Sequence, residues 1–410
     1  MGFDAISSEG VLVLPDEAEP TGTSDRTLWI MAIACGTFTA NIYCNQPLLG
    51  DLAKYFHASD TAAGMVATAA QLGYAAGIFF FVPLGDLIER RRLVLSLSIA
   101  CFVSLLCAAA APVLWMLVVC QLIVGITTVS AQVLIPLAID LAPTNRRGHT
   151  VGVLMTGILA GILLARTVAG FVSDALGWRS TYLIAAVVVV VMISVLAAAL
   201  PHRPPTLRTS YPRLMHSMIE LLRHQPQLWI SAAMSGLTFA TFIGFWATLS
   251  FLMADQFHRG ASAAGMFGII GIAGALAAPV AGKLADKRGP AFTVTVSVII
   301  AILAFIIMGV WVTIPGLIIG VLLMDLGVQA TAVSEQSTVM ALVPEARSRL
   351  NTLYMVCRFV SGAIGSALCV AAWARYRWTG VCTVNLILLL LAMTVHLLGC
   401  RWRRAALIEE

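Results

Sequence analysis

The chain has 410 residues, 60% of them apolar and 11% charged, with a mean hydropathy of +0.92 and a net charge of +5. Soluble domains carry about a quarter charged residues, so no water-solvated core absorbs this sequence and its solvent is lipid. The bases sit in short turns rather than on one patch, which excludes nucleic acid as a partner.

Residues 1–26 hold six acids and one base. That is the reverse of a signal peptide and reads as a disordered cytoplasmic tail. Apolar stretches of about 20 residues, each enough to cross ~30 Å of hydrocarbon, then follow in order. They are expected at 27–50, 61–84, 93–111, 113–141, 148–173 and 180–200. A polar linker, 201–226, comes next; Pro201, Pro204, Pro205 and Pro212 make its first part extended, and 213–224 reads as an amphipathic helix on the membrane surface. Six more spans are expected at 227–254, 261–284, 291–312, 314–343, 348–373 and 378–400, with a cytoplasmic tail at 401–410. The fold class is therefore an all-α membrane protein. Its twelve transmembrane helices form two pseudo-symmetric six-helix bundles, 27–200 and 227–400.

The halves are copies. Phe56-His57 and Ala62-Ala63-Gly64-Met65 recur as Phe257-His258 and Ala263-Ala264-Gly265-Met266, 201 residues later. Leu141, Pro143 and Arg146 recur as Leu342, Pro344 and Arg347. A charged turn, GDLIERRR at Gly85–Arg92, recurs as GKLADKRGP at Gly282–Pro290. Of the 25 Lys and Arg, 18 fall in the even-numbered loops, the linker and the tails, and five in the odd loops. That asymmetry puts both termini and the linker in the cytoplasm of an inner, or plasma, membrane.

The doubled turn, the linker and the two six-span halves resemble the major facilitator superfamily, over about residues 27–400. In the second copy Gly282, Leu284, Asp286 and Gly289 match its turn motif; in the first, Glu89 stands for the usual Asp and Arg92 for the second Gly. The resemblance implies that Gly85, Glu89, Arg90, Gly282 and Asp286 brace a cytoplasmic gate. Asn41–Leu49, NIYCNQPLL, is similar to the drug-and-metabolite proton antiporters of that superfamily. Two antiporter motifs depart: Gln121 occupies the Arg position of the fourth span, and Arg166 stands where the fifth span usually has Pro.

Two bases, Arg166 and Arg358, and two acids, Asp325 and Glu335, fall inside spans. Each charge costs about 2.5–3.5 kcal/mol on insertion scales and needs a partner or a wet cavity. Glu335 lies 11 residues before the turn near residue 346 and Arg358 12 after it, at about the same height, so they are expected to pair as a clamp, or Arg358 to reach the cavity. Arg166 and Asp325 are each 21 residues from the corresponding turn, which places them near the midplane in opposite halves. They are expected to approach each other across the cavity, with Asp325 and Glu335 as proton-coupling residues.

Polar stripes mark the substrate-binding face: Asn41 and Asn45; Gln121 and Gln132; Gln329 and Gln336; Tyr354 with Arg358. Phe242, Phe245 and Trp246 add an aromatic wall. Inter-helix hydrogen bonding and packing are the alternative uses of the same residues. No phosphate loop, metal-spaced His or Cys pair, or evident nucleophile set is present, so no cofactor, metal or enzyme activity is expected. The expected function is alternating-access transport of a small organic molecule, with proton-coupled efflux of an anionic metabolite or drug by a monomer. Organic-anion import or exchange is the rival, and a non-transporting receptor is the rival of another class.

Overall fold

The computed structural model describes residues 25–205, 209–275, 287–343 and 346–409. Among these every regular element is helical. The first half contains α1 (Asp25–Tyr55), α2 (Asp60–Leu84), α3 (Arg90–Ala109), α4 (Leu114–Leu141), α5 (Arg147–Leu176) and α6 (Trp178–Ala199). A linker helix, Tyr211–His224, leads to α7 (Pro226–Asp255), α8 (Ala261–Ala275), α9 (Pro290–Val310) and α10 (Ile314–Leu342). The final helical stretch, Arg347–Glu409, breaks at Arg377 (φ 51°) and is treated as α11 (347–376) and α12 (378–409). Ten described stretches are long and apolar enough to cross a membrane, the last of them 55 residues long; α8 is a shorter apolar helix.

The duplication seen in the sequence is also in the packing. α1 packs on α5, α2 on α4 and α3 on α6; the same pairings recur as α7 on α11, α8 on α10 and α9 on α12. It is in the backbone as well. His57 and His258 both take φ 50°, and Gly177 and Arg377, each followed by a buried Trp, both take positive φ. Close helix approach depends on missing side chains: a Cβ on Gly36 would meet the Gly157 carbonyl, and one on Gly161 would meet the Gly36 carbonyl. The halves meet along α2–α11 and α5–α8.

Two helices are interrupted, and the interruptions shape the site. Pro47 has no N–H to give to the Tyr43 carbonyl, and α1 changes there from Asp25–Tyr43 through a tight turn, Gln46–Leu48, to Leu49–Tyr55. Gln46 therefore leaves the regular spiral. α4 is likewise split into Leu114–Thr127 and Ser130–Leu141.

The linker helix buries Leu214 and Met218, and Met218 shares an apolar cluster with Leu228, Leu350 and Tyr354 of the second half. Tyr211 donates its hydroxyl to the Phe80 carbonyl of α2 at 3.0 Å, so this short helix touches both halves.

Candidate functional site

A cavity of about 720 Å³ lies between the halves. Its mouth is on the side of the linker, where exposed Arg347 and Ser348 line it. Its closed end is lined by Tyr43, Arg166 and Asp325, all buried. The walls between are mostly apolar, including Ile162, Leu163, Phe239, Phe242, Val328 and Phe359.

Arg166, on α5, is 1% exposed. Its Nε donates to Gln46 Oε1 at 2.8 Å, a contact made possible by the turn at Pro47. Its guanidinium lies 4.0 Å from the Trp246 ring centroid, 4.9 Å from that of Tyr43 and 5.5 Å from that of Phe242. The planar cation is thus held by aromatic faces and one amide rather than by a carboxylate. Its Nη2 has no hydrogen-bond partner.

Asp325, on α10, is 4% exposed, and its Oδ1 also has no partner. The expected close approach to Arg166 is corrected here: among the described residues no ion pair within 4.0 Å joins the two. The guanidinium is drawn instead to Gln46 and Trp246.

Of the other expected site residues, Gln132, Gln329, Gln336 and Arg358 line the cavity. Gln132 donates to the Tyr74 hydroxyl at 3.0 Å and Gln336 to Asn351 at 2.8 Å. The Arg358 guanidinium lies over the Phe239 ring at 4.4 Å. Glu335 is buried and does not line the cavity, whereas Arg358 does.

Asn41, Asn45, Gln121, Tyr354 and Trp246 do not line it either. Asn41 donates to the Thr37 carbonyl, Asn45 to the Ile42 carbonyl, and Gln121 to the Asn41 carbonyl. Tyr354 donates to Ser235 at 2.7 Å. These stripes hold helices in shape and in register. Trp246 acts from behind, as the platform under Arg166. Sequence reasoning missed Gln46, Tyr43 and Phe239. The proline inside NIYCNQPLL was the signal for the first two.

The charged turn at Gly85–Arg92 sits at the cavity-mouth end and bonds within the first half and to the linker residue His202. Arg90 bonds Asp140, Asp86 at 2.9 Å and the Gly85 carbonyl at 3.1 Å. Glu89 pairs with Arg92 at 2.7 Å and His202 at 2.6 Å. Gly282 and Asp286, the counterparts in the second copy, lie outside the described residues.

The opposite face is shut by first-half carboxylates that reach second-half donors. Asp174 accepts from the backbone N–H groups of Ala261 (3.0 Å) and Ser262 (2.9 Å), the free donors at the start of α8. Asp60 accepts from Trp373 Nε1 at 2.9 Å and lies 3.6 Å from Arg377. Nearer the cavity, Thr68 bonds Ser366 and Thr167 bonds the Gly265 carbonyl. Losing a helix cap costs about 0.5–2 kcal/mol. Asp174→Ala is therefore expected to open this face in a larger share of molecules. Spin labels at Ala175 and Arg259 should then gain a longer-distance population; an unchanged distance distribution would show that Asp174 does not hold the closed state.

Comparison with known proteins agrees with this architecture. The Major Facilitator Superfamily family model matches residues 31–366. The "Uncharacterized transporter YgaY" of Escherichia coli is 38% identical over 387 residues, covering 93% of this chain and 98% of that protein. The "Probable sugar efflux transporter" of Helicobacter pylori is 22% identical over 337 residues, covering 80% and 83% of the two chains. A bacterial homologue of the human lysosomal transporter Spinster, solved inward-facing and unoccupied, superposes with a TM-score of 0.71 at 14% identity, over 92% of this chain and 97% of that one. With the span count, the repeated helix pairings and the inter-half cavity, these matches place the chain in the major facilitator superfamily, as a multi-pass membrane transporter.

Proposed function

We propose that the protein exports a small organic molecule bearing an anionic group, in exchange for protons, by alternating access between two six-helix bundles of a twelve-span monomer. In this reading both termini and the linker are cytoplasmic in a bacterial inner membrane, and the described conformation faces the cytoplasm. The observation that carries it is the closed end of the cavity. There Arg166 and Asp325 are buried, opposite in charge and each short of a hydrogen-bond partner. Arg166 receives the anionic group, and Asp325 exchanges the proton. Gln132, Gln329, Gln336 and Arg358 complete the lining. Asn41, Asn45, Gln121 and Tyr354 support it through the helices they brace, and Glu335 is a second proton carrier behind the lining. Gly85, Glu89 and Arg90, with Gly282 and Asp286, brace the cytoplasmic gate. The name of the Helicobacter pylori relative supports efflux as the direction.

The test is proton movement in inverted membrane vesicles with an acidic interior. A transported aromatic carboxylate or amino acid should discharge the acid interior of vesicles carrying the protein, and not of vesicles carrying Asp325→Asn. Uptake with no proton movement would overturn the coupling. Organic-anion import or exchange is the second reading, favoured by Arg347 and Arg358 lining the same cavity as Arg166. Accumulation of the compound in energised cells would select it.

A further inference from the structure

We infer that the transported molecule is a zwitterion with an apolar body, its carboxylate against Arg166 and its ammonium against Asp325. This rests on the reading of the cavity as the transport site, and goes beyond it in naming both ends of the cargo.

Two opposite charges share the closed end of one cavity without joining each other. Each has spare capacity aimed at nothing: Nη2 on Arg166 and Oδ1 on Asp325. Buried unpaired polar groups are costly, and a ligand that pairs both removes both costs at once. A simple anion would satisfy Arg166 but be repelled by Asp325. A simple cation would meet the reverse. Only a dipolar head group is attracted by both.

Both residues pack on α8. Arg166 Cβ lies 3.3 Å from where a Cβ on Gly268 would stand, and Asp325 Oδ2 lies 2.8 Å from where one on Gly271 would stand. Those positions are one turn apart, a rise of about 4.5 Å along the helix. The glycines let the stem of Arg166 and the carboxylate of Asp325 pack against the α8 backbone, which brings both residues to the same closed end of the cavity. Gln46 Nε2, beside the guanidinium but behind the cavity lining, is a further buried donor without a partner. The walls next to this end are apolar and aromatic: Ile162, Leu163, Phe239, Phe242 and Val328. They fit a hydrocarbon or aromatic side chain and offer little to a polyhydroxylated body.

The experiment compares three probes that share one body. Phenylalanine carries both charges, 3-phenylpropanoate only the carboxylate, and phenethylamine only the ammonium. Binding to the purified full-length protein is measured by thermal stabilisation and by calorimetry. Phenylalanine is expected to bind at least about tenfold more tightly than either single-charge analogue, one charge-assisted hydrogen bond being lost in each. Asp325→Asn should abolish the preference for phenylalanine over 3-phenylpropanoate, and Arg166→Gln the preference over phenethylamine. The wild-type comparison needs no variant to fold. If 3-phenylpropanoate binds as tightly as phenylalanine and Arg166→Gln still removes it, the zwitterion is wrong and the transport site stands. If the variants leave all binding unchanged, the site itself is wrong. If no probe binds, an apolar amino-acid-like cargo is ruled out.

Discussion

Asp325→Asn is expected to stop gradient-driven export while exchange of substrate for substrate continues. Among the described residues, Asp325 is the one carboxylate lining the cavity. It stands at the closed end, 4% exposed, with its Oδ2 against Gly271 of α8. A proton exchanged for cargo must be carried by a group that alternates between charged and neutral on the path of the cargo. Asparagine has the same shape but is fixed neutral, so the halves still rock and cargo still crosses, but no proton crosses with it. Export against a gradient should fall by about two orders of magnitude, the scale of about 2.7 kcal/mol of lost coupling. Exchange of labelled for unlabelled substrate at saturating concentration should stay within about tenfold of wild type, because that step needs only the conformational cycle. Loss of both activities together would make Asp325 a structural residue. Retention of both would pass the proton role to another group, with Glu335, buried on the same helix, the next to replace.

Much of this architecture was legible from residue type and spacing alone. The spans were, because lipid demands long uninterrupted apolar helices. So was the repeat, because landmarks such as Phe56-His57 and Phe257-His258 mark turns that share an unusual backbone angle. Arg166 and Asp325 were legible because buried charge in a membrane is rare enough to be noticed. The polar stripes misled in a definite way. Asn41, Gln121 and Tyr354 lie on the expected faces, but backbone carbonyls and Ser235 use their donors, and periodicity does not say whether a neighbour or a ligand takes the bond. Gln46 was invisible for another reason. Its side chain reaches Arg166 only because Pro47 breaks the spiral, and a regular-helix projection puts it elsewhere. Asp60 and Asp174 fall just outside the expected spans 61–84 and 148–173, and nothing in the sequence marked them. Their role depends on which second-half helix end lies opposite, which no local pattern encodes.

Arg166→Gln is expected to remove ligand-induced stabilisation without lowering the stability of the empty protein. The guanidinium is buried, with three aromatic rings around it and one amide partner, and among the described residues no carboxylate lies within 4.0 Å. Cation–π contacts contribute about 0.5–2 kcal/mol each. Against them stands the desolvation of a whole charge, so replacing it by a neutral amide is near neutral or stabilising for the apo state. The ligand loses a charge-assisted hydrogen bond of about 1.5–3 kcal/mol, which is about a 10- to 100-fold loss of affinity for any carboxylate cargo. Arg166→Lys keeps the charge but loses the planar fork that stacks on Trp246 while donating to Gln46, so it should bind between the two. Trp246→Phe keeps a ring face and should cost less than either. A structural clamp would give the opposite pattern: the melting midpoint of the empty protein would drop in Arg166→Gln, and the stabilisation by ligand would persist. Thermal unfolding of the three variants, with and without phenylalanine, separates the two cases. The expected order of ligand-induced shift is wild type, then Trp246→Phe, then Arg166→Lys, with none for Arg166→Gln.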